Sequence, residues 1–319
     1  MKKFLLHSLL FFISTSVIYL LVFAILFFIK VSHTPLIYRA TQANVWEGGG
    51  TYIKTREFNF NEMHDIIIIG SSHAYRGYDP RIFEQYGYKT YNLGTSDQNL
   101  LCSYFLSTNM INHANCKMVI FDLYDRVFTQ FNLESNSDMI QNIVSDKAAW
   151  EISLATKDIR TINMFTLRLF NKLAAPLDDD TIGYIKGFLP TTKNISFPLK
   201  RKDYKYRKNT EALDYLDKTL AYFKKEGIRV VMSEHALPIV SPAPAHAQFI
   251  KDVKPVLDKY NIPWFDYTTD TSMTNIRFFA DESHLNVKGV YKYNHRLIDD
   301  LQKANLLPLK KGNISNVSQ

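Results

Sequence analysis

Apolar residues fall into three patterns along this chain, and each predicts a different element. Residues 4–29 contain no Asp, Glu, Lys or Arg; as a helix that run reaches roughly 39 Å at about 1.5 Å per residue. The second pattern is a set of short apolar blocks bounded by polar turns: residues 65–70, with four consecutive isoleucines, then 89–93, 117–123, 228–233 and 263–267. Such β-branched runs suit strands buried on both faces, as in a parallel sheet covered by helices. The third pattern has helical spacing, over residues 80–86, 99–113, 211–226, 248–260 (despite Pro255) and 287–302. Asp79 before Pro80 reads as a helix start and Gly227 as a helix stop. Strands alternating with helices at this spacing predict an α/β fold, a three-layer α/β/α arrangement around a central parallel sheet.

These elements divide the chain. Residues 1–30 read as an N-terminal transmembrane helix and membrane anchor, 31–64 as a linker, 65–303 as the α/β domain and 304–319 as a C-terminal tail. Within the domain, residues 126–208 have few strand signals and read as a mostly helical insertion. The apolar run is longer than the roughly 7–15 residues of a signal-peptide core, and no small-x-small site follows it, which favours an uncleaved anchor. Lys2 and Lys3 lie before the run and Lys30 closes it; the amino-terminal lysines point to an N-in orientation. The expected location is therefore the inner membrane of a bacterial cell, single-pass, with the soluble domain on the periplasm or cell-wall side.

A formal net charge of +7 suits a membrane surface or a polyanion. No zinc-finger, RRM or P-loop pattern occurs, so nucleic acid is not expected as a partner. The basic run Lys200, Arg201, Lys202, Lys205, Arg207 and Lys208 is a solvated loop or a contact for lipid headgroups or an anionic glycan. Asp178, Asp179 and Asp180 lack the glycine and glutamate of a calcium loop, and neither a metal nor an organic cofactor is expected. Cys102 and Cys116 are the two cysteines; a bridge and two buried thiols both remain open.

The candidate chemistry sits at the predicted strand ends. The first strand runs straight into Gly70, Ser71, Ser72 and His73, which places a hydroxyl at the carboxyl edge of the sheet, where open α/β sheets bind ligands. Near the last helix, Asp281 and His284 are three apart. In a turn this spacing lets the carboxylate fix one ring nitrogen of the histidine and leaves the other free to take a proton. Ser72 then needs only to meet His284 to become reactive. Each residue has a blander reading: Ser72 as a turn residue, His284 as a surface histidine, Asp281 as a helix cap. His73 is read as shaping the pocket and His235 as lining it. Arg76 is either a substrate contact or a structural ion pair.

Together the residues resemble the SGNH/GDSL hydrolase superfamily. Its Gly-Asp-Ser block is matched by Gly70, Ser71 and Ser72, its second-block glycine by Gly94, and its Asp-x-x-His block by Asp281 and His284, with Gly289 beyond. The resemblance implies Ser72 as nucleophile, His284 as base, Asp281 as its orienter, and the Ser72 and Gly94 N–H groups as oxyanion donors. The family's third block supplies an asparagine donor, whereas residues 122–125 here read Asp-Leu-Tyr-Asp; Tyr124 or Asn99 would have to stand in. With its anchor and insertion the chain looks like the membrane-anchored branch, similar to alginate O-acetyltransferase accessory proteins and the teichoic-acid D-alanyl-transfer protein. That likeness implies a serine acyl esterase or O-acyltransferase working on a cell-envelope or secreted polysaccharide, beside a membrane-bound O-acyltransferase. A non-catalytic assembly or glycan-binding role is the alternative.

Overall fold

The computed structural model describes residues 1–31, 34–37, 50–128, 133–173, 183–195, 206–238 and 244–309. Gly48, Gly49, residues 178–180, most of the basic run and residues 310–319 lie outside them. Five parallel strands make the central sheet: β1 (His64–Ile69), β2 (Thr90–Asn92), β3 (Cys116–Asp122), β4 (Arg229–Glu234) and β5 (Trp264–Asp266). Their order across the sheet is β2-β1-β3-β4-β5. Ile67 stands in register with Tyr91 on one side and Val119 on the other. The order in which strands are added reverses beside β1, so the crevice outside its carboxyl end is the topological switch point.

All four isoleucines of β1 are fully buried, and alternation sends them to two different cores. Ile66 and Ile68 pack with Tyr78, Phe83 and Leu297, from the face covered by α3 (Ser72–Gly77), α4 (Pro80–Gln85) and α11 (Val287–Lys303). Ile67 and Ile69 pack with Leu101, Leu220 and Phe249, from α5 (Leu100–Met110), α9 (Thr210–Glu226) and α10 (Pro244–Lys259). The result is the expected three-layer sandwich. Asn99, Asn209 and Asn286 cap α5, α9 and α11 through their side-chain oxygens, each satisfying backbone N–H groups that a helix start leaves open.

Two features depart from the sequence reading, and a third settles an alternative it left open. The segment expected to be linker contains a helix, α2 (Gly50–Glu57). The insertion is helical over α6 (Leu133–Asn142), α7 (Asp146–Ala155) and α8 (Ile159–Leu173), but residues 183–195 form an extended strap instead. Its backbone bonds to Asn92, Tyr75, Phe279 and Val287, so it crosses the carboxyl edge of the sheet. Finally, Cys102 and Cys116 are both free and buried, and burial pushes both thiols up to about 12. At the amino end, α1 (Lys2–Phe28) is the single helix among the described residues long and apolar enough to cross a membrane.

Candidate active site

Ser71 accepts from the His73 N–H and caps α3, so the chain turns from strand to helix within two residues and Ser72 opens the helix. The turn needs Gly70: its φ is +142°, and a Cβ there would lie 2.8 Å from Asp122 Cβ. A helix's first N–H groups have no intrahelical acceptor, which leaves the Ser72 N–H facing the crevice edge.

From the far end of the domain, residues 279–285 fold back as a bridge between Phe279 and Leu285. Asp281 is held by the backbone N–H groups of Ser283 and His284, each donating to Oδ1 at 2.9 Å. His284 Nδ1 lies 2.8 Å from Asp281 Oδ2, and its Nε2 lies 2.8 Å from Ser72 Oγ. Burial raises the Asp281 carboxyl, but the hydrogen bond and charge of His284 and the two N–H groups outweigh it and hold the acid well below its usual range. An ionised carboxylate only accepts, so Nδ1 carries the ring proton and Nε2 accepts from the Ser72 hydroxyl. Ser72 and His284 are 212 positions apart and joined by one hydrogen bond. The arrangement can move a proton from the hydroxyl to the imidazole as the oxygen attacks an electrophile.

The remaining sequence candidates divide. His73 is buried beside the site, stacked on Tyr124 at 3.9 Å between ring centroids and tilted against His235 at 4.4 Å. Burial, reinforced by His235 and His284, pulls His73 well below its ordinary value. His235 gives Nδ1–H to the Ala236 carbonyl at 2.8 Å, and burial pushes it down to about 4. Both rings are therefore neutral at neutral pH, and they back the site as an aromatic column. Arg76 makes no ion pair among the described residues; its guanidinium lies 5.3 Å from the Tyr75 ring centroid.

The proposed oxyanion donors need correction. The Gly94 N–H donates to Asn92 Oδ1 at 3.0 Å, while the Asn92 amide NH₂ donates to the Ala74 and Tyr78 carbonyls at 2.9 Å each. That side chain is locked, so the Gly94 N–H is already spent. Asn99 is buried, with Oδ1 accepting from the Cys102 N–H and Nδ2 donating to Asn136, and cannot reach an oxyanion. Tyr124 stacks under His73, its ring nearly parallel to the imidazole. The Ser72 N–H has no acceptor among the described residues.

One contributor carries no sequence signal. Lys54 of α2 is buried, donates to the Gly94 carbonyl at 2.5 Å and lies over the Tyr75 ring at 4.2 Å and the Tyr184 ring at 4.6 Å. Burial pulls its ammonium well below the ordinary lysine value, against the pull of Asp138. The loop after β2 is thus clamped by α2 on its carbonyl side and by Asn92 on its N–H side. An open cleft of about 550 Å³ lies along Asn194, Ile195, Asp281 and His284. A cavity of about 660 Å³ lined by Asp65, Lys117 and Arg229 lies at the opposite, amino edge of the sheet, away from these residues.

No protein-family model matches the chain, and no curated protein matches it. Among solved structures the chain is similar to a lipase/acylhydrolase from Enterococcus faecalis, at 12% identity and a TM-score of 0.40, covering 78% of this chain and 100% of that one. It is also similar to an acetyl-xylooligosaccharide esterase from Geobacillus Stearmophilus, at 9% identity and a TM-score of 0.41, covering 80% and 100%. At that identity and score, the reading of the site rests on the chain's own residues.

Proposed function

We propose that the chain is a membrane-anchored serine acyl esterase or O-acyltransferase that works through an acyl-Ser72 intermediate. The observation that carries the proposal is the 2.8 Å contact between Ser72 Oγ and His284 Nε2, with the other ring nitrogen on Asp281. Ser72 Oγ attacks the acyl carbonyl carbon as its proton passes to His284 Nε2. The resulting imidazolium is stabilised by Asp281, and the Ser72 N–H donates to the oxyanion. His284 then returns the proton to the departing oxygen, the carbon–oxygen bond breaks, and acyl-Ser72 remains. Water or a sugar hydroxyl next attacks this ester, giving its proton to His284 and ending with the Ser72 hydroxyl restored.

The acceptor we propose is a polysaccharide of the cell envelope or a secreted one, with a membrane-bound O-acyltransferase as acyl source. The exposed α1 helix supports an anchor, and the domain is read as extracytoplasmic, in the periplasm or on the wall side of the inner membrane. A short-lived reaction of the full chain with p-nitrophenyl acetate, quenched in acid and mapped by mass spectrometry, tests the intermediate. Acetyl on the Ser72 peptide supports it; turnover with acetyl elsewhere overturns it.

One observation favours a second reading. The Gly94 N–H is occupied by Asn92, and loss of one oxyanion donor typically costs about 10²–10³ in rate. A non-catalytic assembly or glycan-binding role would show as retained glycan binding with no acetyl trapped on Ser72.

A further inference from the structure

The helical insertion carries an apolar face that the described chain leaves open. Trp150 and Leu154, one turn apart on α7, are 40% and 52% exposed, and Ile159 and Leu169 of α8 are 73% and 44% exposed. This face is continuous with α1. The Tyr19 hydroxyl donates to Asn163 Oδ1 at 2.9 Å and reaches Thr166 Oγ1 at 3.2 Å. Phe23 and Phe27 meet the Phe170 ring at centroid distances of 5.2 and 5.4 Å. Asn163, Thr166 and Phe170 recur at spacings of three and four, and Ile159 continues the same stripe one turn earlier. Helix α8 therefore runs beside the last third of α1 in the same direction, with Ile159 nearest the middle of α1.

Length sets the depth. The 27 residues of α1 reach about 40 Å, while the hydrocarbon core is about 30 Å thick. Tyr19 is nine residues, about 14 Å, from the outer end of the helix. Even if all of the surplus length of about 10 Å projects outward, Tyr19 lies some ~4 Å inside the hydrocarbon, and the stripe continues toward Ile159. Charged residues border the patch in ion pairs: Lys147 with Glu151, Lys157 with Glu211 and Arg160 with Asp158. Trp150 packs on Phe165 at 5.1 Å, an aromatic pair of the kind favoured at membrane interfaces.

We propose that α7 and α8 form a membrane-seated element whose Trp150, Leu154, Ile159 and Leu169 face lies in the outer leaflet of the bilayer that α1 crosses. The proposal rests on the anchor reading above. It gives the insertion a task in orienting the site. The same insertion holds the loop after β2, through Glu134 on the Ser96 hydroxyl and Asn136 on the Asn99 amide, so the seated helices fix the tilt of the Ser72 edge over the membrane.

The test uses the full chain in liposomes of phosphatidylethanolamine and phosphatidylglycerol. Nitroxide labels are placed singly by Leu154→Cys, Ile159→Cys, Phe12→Cys and Lys254→Cys; both natural cysteines are buried. Collision rates are read with oxygen, which partitions into lipid, and with a nickel chelate, which stays in water. The expected result is an oxygen-to-nickel ratio at the first two sites well above that of Lys254→Cys, with Ile159→Cys the higher. If both sites match Lys254→Cys while Phe12→Cys reports lipid, the seated face is overturned and the anchor stands. If Phe12→Cys is also open to nickel, the anchor itself fails. Shielding of both sites from both reagents overturns the lipid contact in favour of a protein one.

Discussion

Two histidine–carboxylate clusters stand on the same edge of this sheet, and their difference shows what makes such a pair useful. His284 has one nitrogen on Asp281 and the other on a hydroxyl, at 2.8 Å each. His246, beyond β4 and β5, has carboxylates on both sides: Asp266 at 3.2 Å from Nε2, and Asp125 and Glu234 at 3.8 and 4.0 Å from Nδ1. A hydroxyl is present there too, but Thr268 donates its proton to Asp266 at 2.6 Å. Nothing is left for His246 to deprotonate. Glu234, His246 and Asp266 bring their ligand atoms within 4.8 Å of one another, with the nearest carboxylates facing opposite ring nitrogens of His246. A free ring nitrogen beside an unspent hydroxyl, at the switch point of the sheet, separates the candidate active site from a structural charge cluster.

The sharpest contrast comes from deleting the reacting groups. Ser72→Ala or His284→Gln should lower acyl transfer by about 10⁶-fold, measured with p-nitrophenyl acetate. His246→Gln should leave that rate in place and instead cost about 1–3 kcal/mol of stability in urea unfolding, because Asp266 loses its hydrogen-bond partner. Next in size is the orienting acid: Asp281→Asn should reduce kcat by about 10⁴, and Asp266→Asn should not. An equal loss from both would break the distinction.

Smaller effects probe the support. A Cβ at Gly94 would lie 2.7 Å from Ala74 Cβ and 2.9 Å from the Tyr75 nitrogen. Gly94→Ala should therefore push α3 outward, costing about 1–3 kcal/mol by denaturant titration and slowing acylation at Ser72. The smallest effect is one of pH. Burial pushes the Asp122 carboxyl up to about 8, offset in part by the Tyr78 hydroxyl. A raised carboxyl contributes stability that is complete below its unfolded value and is lost as pH rises through the folded one. His73 and His235 are depressed, so their contribution is lost as pH falls below the ordinary histidine value and is constant above it. Between pH 7 and 8 Asp122 should therefore contribute a loss of about 1 kcal/mol, with the depressed Lys54 acting in the opposite sense, and the difference between the wild type and Asp122→Asn should isolate it.

Much of this was legible in the sequence because the signals were local. Four isoleucines ending in Gly70 announced a buried strand, and serine directly after it announced a strand-end hydroxyl. Asp281 and His284 are close enough in sequence for one turn to join them. What the sequence could not carry was tertiary. Lys54 is a lysine in a short helical run until the fold lays it against the Gly94 carbonyl. The strap at residues 183–195 has too little pattern of its own, since its partners are Asn92, Tyr75 and Phe279. The Gly94 N–H looked available because a motif records the glycine and not the competing amide of Asn92, two residues earlier, which captures it.

The central claim is that His284 makes the Ser72 hydroxyl nucleophilic, and a fluorophosphonate probe reads that directly. The wild-type chain should be labelled at Ser72, His284→Gln should be labelled only slowly, and Ser72→Ala should not be labelled at all. Labelling of Ser72→Ala at the wild-type rate would contradict the account.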